Sequence, residues 1–442
     1  MIRVVESIAA NGHKNSSTRS RVIGAAKKRP AAFIDLFAGC GGLSLGLEEA
    51  GFIPLLFSEL NRQAADTYLA NRDGMEIVEV SDIYKLTNQS LKQHKANWAK
   101  NGIDEIDLVC GGPPCQGFSG IGHRRTFRLS KKDIPSNHLF LEMIRVIKEV
   151  RPKVFLFENV KGLLNSRWTP DGQKGEIWKA VLSAFRQIHG YTVRWDLIHS
   201  KKYGVPQNRP RVLIVGLRDD VYSSAIEHGF LIHTHEETPA VQAGFLPAGS
   251  GEAPSIPDLL SDLEDPEFET KDANVIYLRD PQTDIQIHLR TCRNGKLMKK
   301  GQALTEQEYS QHADYIRQKY THMIKNDGQI PEKFRTKKFA QRVFPRKWGN
   351  DGPNITATSL PEDYVHYKEP RSPTVREWAR LQTFPDWYVF KGPRTTGGRR
   401  RAGDPSKNLW DRDVPRYTQI GNAVPVLLAK KIGVHLAKIL SA

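Results

Sequence analysis

The chain has 442 residues and a formal net charge of +16, from 65 Lys and Arg against 49 Asp and Glu. That length allows two domains, and the basic excess points to a polyanionic partner, most simply nucleic acid. No run of about 18 apolar residues occurs, which excludes a membrane-spanning helix; the four cysteines, Cys40, Cys110, Cys115 and Cys292, make no paired C-x-x-C pattern, so neither a structural zinc, nor any other metal, nor a disulfide framework is expected.

Residues 1–30 read as a polar, basic, flexible lead-in without the apolar core of a signal segment. Phe33 to Phe37 reads as a first strand, and Leu43 to Ala50 as a helix closed by Gly51. Pro54 to Ser58 is a second strand, and a third is expected before Asp82. Asp107 to Cys110 reads as a buried strand end. His138 to Val150 has helical spacing, with Leu139, Met143, Val146, Ile147 and Val150 apolar, and Pro152 ends it. Val154 to Phe157 is a continuous apolar strand. Glu176 to His189 is helical, Thr192 to Ile198 extended, and Arg211 to Gly216 a further strand. Strands buried on both faces and separated by helices predict an α/β fold, a mostly parallel sheet with helices on both sides. From about Asp219 to Glu369 short segments, prolines and basic clusters replace the alternation, as in a second, smaller domain. Regular signals return at Thr374 and close with an amphipathic helix, Val426 to Leu440.

The stretch Asp35 to Gly42, D-L-F-A-G-C-G-G, follows the first strand and opens a helix, where a doubly wound sheet binds a nucleotide-like ligand. Ser44 stands where the dinucleotide fingerprint needs its third glycine, so no pyrophosphate grip is expected. Glu59, at the end of the second strand, can hold both hydroxyls of a ribose. Asp82 can reach the adenine side. Taken in order, these suggest an adenosine-containing ligand without a diphosphate, and S-adenosylmethionine fits. A second stretch, L-V-C-G-G-P-P-C-Q-G-F-S-G from Leu108, fixes its path with Gly111, Gly112, Pro113 and Pro114 before Cys115. It reads either as a surface turn holding a cysteine or as a nucleophile at the carboxyl end of a strand.

Asp35 to Gly42, Pro113-Pro114-Cys115-Gln116, Glu158-Asn159-Val160, Gln207-Asn208-Arg209-Pro210-Arg211, Arg376-Glu377 with Arg380-Leu381-Gln382, and Gln419 to Pro425 occur in one order. That series resembles the DNA (cytosine-5) methyltransferase family of the bacterial restriction-modification type, over about 31–216 and 356–440. The resemblance implies a Rossmann-like S-adenosylmethionine-dependent methyltransferase sheet with a smaller, irregular DNA-recognition domain. The lead-in would be 1–30, the catalytic and cofactor-binding domain 31–218, and the target-recognition domain 219–370, with its far limit open to about 412. Residues 413–442 would be a C-terminal helix returning to the catalytic domain. The family implies double-stranded DNA as substrate, a cytoplasmic monomer, and a restriction nuclease acting on the same site without a stable complex.

The chemistry needs a thiolate at C6 to make C5 of cytosine nucleophilic, and Cys115 is the candidate. Glu158 would bond the exocyclic amine and protonate or polarise N3, with its pKa raised by partial burial. Arg211 would pair with O2, and Arg209 and Arg211 could supply cations to the thiolate. Asn159 is expected to brace Cys115 or Glu158. Phe37, Gly39, Gly41, Glu59, Asp82, Ile83, Gly112, Leu139 and Asn422 are expected at the cofactor; at Asp82, Ser81 replaces a glycine common in the family. Gln116, Ser119, Arg124 and Arg125 are expected on DNA, around a flipped-out cytosine. The basic stretches from Leu289, Lys333 and Lys391 are candidates for reading bases and phosphates. Arg376, Glu377 and Arg380 are expected to brace, and Cys40 to fill core. A transfer RNA cytosine-5 methyltransferase and an inactive DNA-binding protein of the same fold are the alternatives.

Overall fold

A seven-stranded sheet carries the chain's first half, in the order β3-β2-β1-β4-β5-β7-β6. The strands are β1 Ala32–Leu36, β2 Ile53–Ser58, β3 Val78–Val80, β4 Leu108–Gly111, β5 Val154–Val160, β6 Tyr191–His199 and β7 Pro210–Arg218. The computed structural model describes residues 29–114, 138–169, 171–249, 251–335, 341–345, 353–356, 359, 361–395 and 414–442. Ala31–Ala442 forms one compact unit.

The chain steps outward from β1 through β2 to β3, then returns to lay β4 and β5 on the other side of β1. The reversal between β1 and β4 opens a crevice at their carboxyl ends, where open α/β sheets bind ligands. The expected parallel sheet holds for β1 to β5 but not for β7, which runs antiparallel to both β5 and β6. The connection 200–209 is too short for a crossover helix, so β6 turns directly into β7.

Side-chain alternation along the strands feeds two apolar layers. Ile34, Leu36, Val109, Phe155 and Phe157 face helices Asn88–Lys100, Leu139–Val150 and Glu176–Arg186. Phe33, Leu108, Cys110, Val154 and Leu156 face helices Gly42–Glu49, Asp219–Glu227 and Val426–Ile439. The closing helix thus returns to the first one, and small residues set their approach. A Cβ on Gly46 would lie 2.4 Å from both Ala429 Cβ and the Val426 carbonyl oxygen, and one on Gly42 would lie 2.4 Å from that of Val424.

The later half is irregular, as expected: short helices Ile256–Leu260, Asp284–Arg290 and Val375–Leu381 surround a third core, and Asp314–Lys325 packs in a small separate cluster with Val365. The third core also includes Cys40 and Leu45 from the first glycine turn and helix. Buried charges tie it together. Arg380 pairs with Asp262 at 2.5 Å and Asp386 at 2.6 Å, and Arg371 with Glu369 and Glu377, each at 2.6 Å. Burial alone would raise the Glu377 carboxyl, but the Arg371 guanidinium holds it at about 2. His366, Glu369 and Glu377 are close enough to hold a metal, but Arg371 already fills that charge. Arg376 donates to the Thr305, Pro385 and Tyr388 carbonyls. Arg376, Glu377 and Arg380 therefore hold the fold, as expected. No described helix is long and apolar enough to cross a membrane.

Candidate active site

The turn after β1 is built from left-handed residues: Phe37 (φ 61°), Gly39 (φ 57°) and Gly41 (φ 83°). Glycine takes this conformation at no steric cost, and Phe37 does not. The surroundings pin it. Ala38 N donates to the Ser58 carbonyl at 2.9 Å and Gly41 N to that of Ala38 at 2.9 Å. Gly39 N donates to Glu59 Oε2 at 2.9 Å, and Asn61 N to Glu59 Oε1 at 2.8 Å. The expected acid at the end of β2 thus touches the glycine turn itself. A Cβ on Gly39 would meet nothing within 4 Å, so the turn borders open space. Asp82 caps the 3₁₀ turn Ile83–Lys85, accepting from Tyr84 N at 3.1 Å. Ile83, Phe37 and Leu139 share one apolar layer.

Beneath the turn, Asp35 is buried and accepts from Ser44 Oγ at 2.6 Å. Burial pushes its carboxyl up to about 7, against the Ser44 hydrogen bond and the Arg72 charge. Cys40 is buried and its thiol is pushed up to about 12, which suits a core residue.

A second group of residues meets at the ends of β4 and β5. Gly111 must be small, because a Cβ there would lie 2.6 Å from the Leu36 carbonyl oxygen of β1. Gly112 backs onto the Glu158 carboxylate: its Cβ would lie 2.8 Å from Glu158 Oε2. Glu158 Oε1 lies 2.6 Å from Arg211 Nε, and their side chains are 13% and 7% exposed. Arg211 is in register with Val160, two residues beyond Glu158, so the pair shares a sheet face. Asn159 Nδ2 donates to the Pro113 carbonyl at 3.2 Å, bracing the Pro-Pro segment. Arg209 turns elsewhere. It is buried and donates to the carbonyls of Ile355, Gly421 (2.9 Å) and Asn422 (3.2 Å). Burial, then the Arg211 charge, pull it below the ordinary arginine value, against the pull of Glu158. It clamps the segment carrying Asn422, itself exposed, against the start of β7.

The family described as C-5 cytosine-specific DNA methylase matches residues 31–438. The chain belongs to that family. It is 30% identical to the type II methyltransferase M.DdeI of Desulfomicrobium norvegicum, over 91% of this chain and 88% of that one. It is also 30% identical to the type II methyltransferase M.XorII of Xanthomonas oryzae, over 92% and 84% respectively. In fold it is similar to a prophage-encoded E. coli protein assigned as a DNA modification methyltransferase, with TM-score 0.64 and 24% identity, covering 93% of this chain and all of that one.

In this DNA (cytosine-5) methyltransferase, the sheet brings Phe37, Gly39, Gly41 and Glu59 into one corner and Gly112, Glu158 and Arg211 into the adjoining one. Cys115, Gln116, Ser119, Arg124 and Arg125 lie outside the described residues. So do most of the basic residues of the stretches from Lys333 and Lys391. The stretch from Leu289 needs correction as a base-reading element. Arg290 is fully buried, pairs with Asp262 at 3.2 Å and lies over the Tyr277 ring; Arg293 bonds Glu48 at 2.8 Å. Both arginines hold the protein to itself. Sequence reasoning missed Gln207 and Gln382. Gln207 Nε2 donates to Gln382 Oε1 and the Leu381 carbonyl, both at 2.8 Å, and Gln382 Nε2 donates to the carbonyls of Ile420 and Ala423. This buried amide pair joins the loop before β7 to the segment carrying Asn422, and both residues lay within motifs whose charged members drew the attention.

Proposed function

We propose that this methyltransferase moves a methyl group from S-adenosylmethionine to C5 of a cytosine flipped out of a specific duplex DNA site. The reaction runs through a covalent bond between Cys115 and C6, and the product protects DNA from a cognate restriction nuclease. The observation that carries this reading is the Glu158 carboxylate, held between Gly112 and Arg211 at the carboxyl edge of the sheet. It stands two strands from the glycine turn, across β4, and at the level of the segment leading to Cys115.

The residues present fit the donor. Gly39 borders open space beside Glu59, and Phe37 and Ile83 supply apolar surface. Phe37, Gly39, Gly41, Glu59, Asp82, Ile83, Gly112, Leu139 and Asn422 would hold it, and when bound it supplies an electrophilic methyl group. Glu158 accepts from the cytosine N4 amine and, in its protonated form, donates to N3, offsetting the negative charge that builds as the thiolate adds at C6. Arg211 orients Glu158 and bonds O2. Asn159 fixes the Pro113 carbonyl and so the path into Cys115. Arg209 acts through Asn422 rather than on the thiolate. The protective role rests on relatives that are type II methyltransferases.

Duplex DNA carrying 5-fluorocytosine tests the reading, since fluorine cannot leave C5. The expected result is a donor-dependent complex stable on a denaturing gel and lost in Cys115→Ser. A complex on fluorinated RNA but not on DNA, or on neither, refutes it.

A further inference from the structure

The glycine turn is gripped from behind by two residues remote in sequence. Tyr388, 348 residues beyond Cys40, donates its hydroxyl to the Cys40 carbonyl at 2.5 Å. Arg72 donates to the Gly41 carbonyl at 3.3 Å, to that of Tyr68 at 2.8 Å and to Tyr388 Oη at 3.3 Å. Its charge is balanced by Glu48 at 2.6 Å and lies 3.7 Å from the centre of the Tyr68 ring. Tyr388 and Arg72 are both buried. They leave no slack: a Cβ on Gly41 would lie 2.9 Å from Arg72 Nη1, from Tyr388 Oη and from Tyr68 Cδ2 alike.

Tyr388 is delivered by a docked strap. Asn71 brackets Val389 with two hydrogen bonds, Nδ2 to the carbonyl at 2.8 Å and Oδ1 from the amide at 2.9 Å. Lys391 N donates to Thr67 Oγ1 at 2.8 Å. Arg376 holds the Tyr388 carbonyl at 3.0 Å. Strained backbone persists only where its surroundings over-determine it, and here that surrounding crosses from the later half of the chain to the turn bordering open space.

We propose that Tyr388, together with Arg72, is a positioning residue for the methyl donor. By engaging the Cys40 and Gly41 carbonyls, the pair holds the turn in the shape the donor meets. The proposal rests on the reading of that turn as the donor site. Removing the Tyr388 hydroxyl leaves a buried carbonyl unpaired. The turn relieves this by rotating, and the donor then has to restore the shape at the expense of its own affinity.

The test titrates the full chain with S-adenosylmethionine by calorimetry and measures steady-state methylation of duplex DNA. Tyr388→Phe is expected to raise the donor Kd and KM roughly tenfold, one hydrogen bond's worth, with kcat at saturating donor within about twofold of wild type. Ser255→Ala, which uncaps the helix Ile256–Leu260 and touches neither the turn nor the strap, is expected to lower the melting temperature and leave the donor Kd within about twofold. An unchanged Kd in folded Tyr388→Phe overturns the proposal. Equal weakening in Ser255→Ala overturns it too, since general loosening then suffices. If Tyr388→Phe fails to fold, Arg72→Lys takes its place, with the same rise expected and an unchanged Kd decisive against the proposal. A wild type that binds no donor would instead remove the reading of the turn on which the proposal rests.

Discussion

Replacing Gly46 by alanine sets helix propensity against packing, and the two predict opposite signs. Propensity alone favours alanine by about 1 kcal/mol in a helix interior. The new Cβ, however, would lie 2.4 Å from Ala429 Cβ, 2.4 Å from the Val426 carbonyl oxygen and 2.6 Å from Lys430 N. Carbon contacts settle at roughly 3.5–4.0 Å, so the helices Gly42–Glu49 and Val426–Ile439 must part by about 1 Å. Two of the opposing atoms are backbone, so no rotamer change relieves them. Overpacking of this kind costs about 1–3 kcal/mol, and a backbone clash belongs at the upper end. The expected net loss is about 2 kcal/mol, read as a lower guanidinium midpoint at unchanged m. Pairing it with Ala429→Gly removes one of the three contacts and adds a second helix glycine, so it should not restore stability. Gly46→Ala as stable as wild type, or more stable, would refute the packing argument.

Three further outcomes follow from the geometry. Gly112→Ala drives a Cβ to within 2.8 Å of Glu158 Oε2; it should lower kcat roughly a hundredfold, as small misplacements of catalytic groups do, while the melting temperature holds. Burial raises the Asp35 pKa from 3.8 to about 7, so its contribution to stability is complete below pH 3.8 and is lost as pH rises through about 7. Against Asp35→Asn, the wild-type denaturation midpoint should therefore fall between pH 4 and 7, by up to about 4 kcal/mol of stability, and curves that run parallel would refute this. Thr383 sits at φ 56° and accepts from Leu427 N at 2.8 Å, capping the closing helix. Thr383→Val keeps the strain and strands that amide, and should cost about 1–3 kcal/mol in thermal denaturation.

The strands were legible because burial on both faces leaves an unbroken apolar run, as in Val154 to Phe157, and glycine or proline marks its ends. The helix Asn88–Lys100 was not, because it buries only Leu91 and Trp98 and carries too little apolar period to stand out. The direction of β7 was hidden for another reason, since a strand's residues do not encode which way its neighbour runs. At the site, the glycines and Glu59 were legible from their place at strand ends. Tyr388, Arg72 and Gln207 were not, because their meaning lies in contacts with segments 174 to 348 residues away. Arg290 was misread because charge in a sequence looks alike whether it faces solvent or a buried Asp262.

The return of Val426–Ile439 to the first helix also orders the chain's birth. Until the ribosome has released that segment, Leu43 and Leu47 lack the cover that Leu428, Ile432 and Leu436 later provide. A nascent chain therefore carries an adhesive face from the synthesis of the first helix until Val426–Ile439 has emerged. Contacts of such long separation form slowly, and partly made chains with exposed apolar surface are what chaperones retain. The cover over the first helix is thus added late, so fragments arising from interrupted translation should be caught as clients before they can act on DNA.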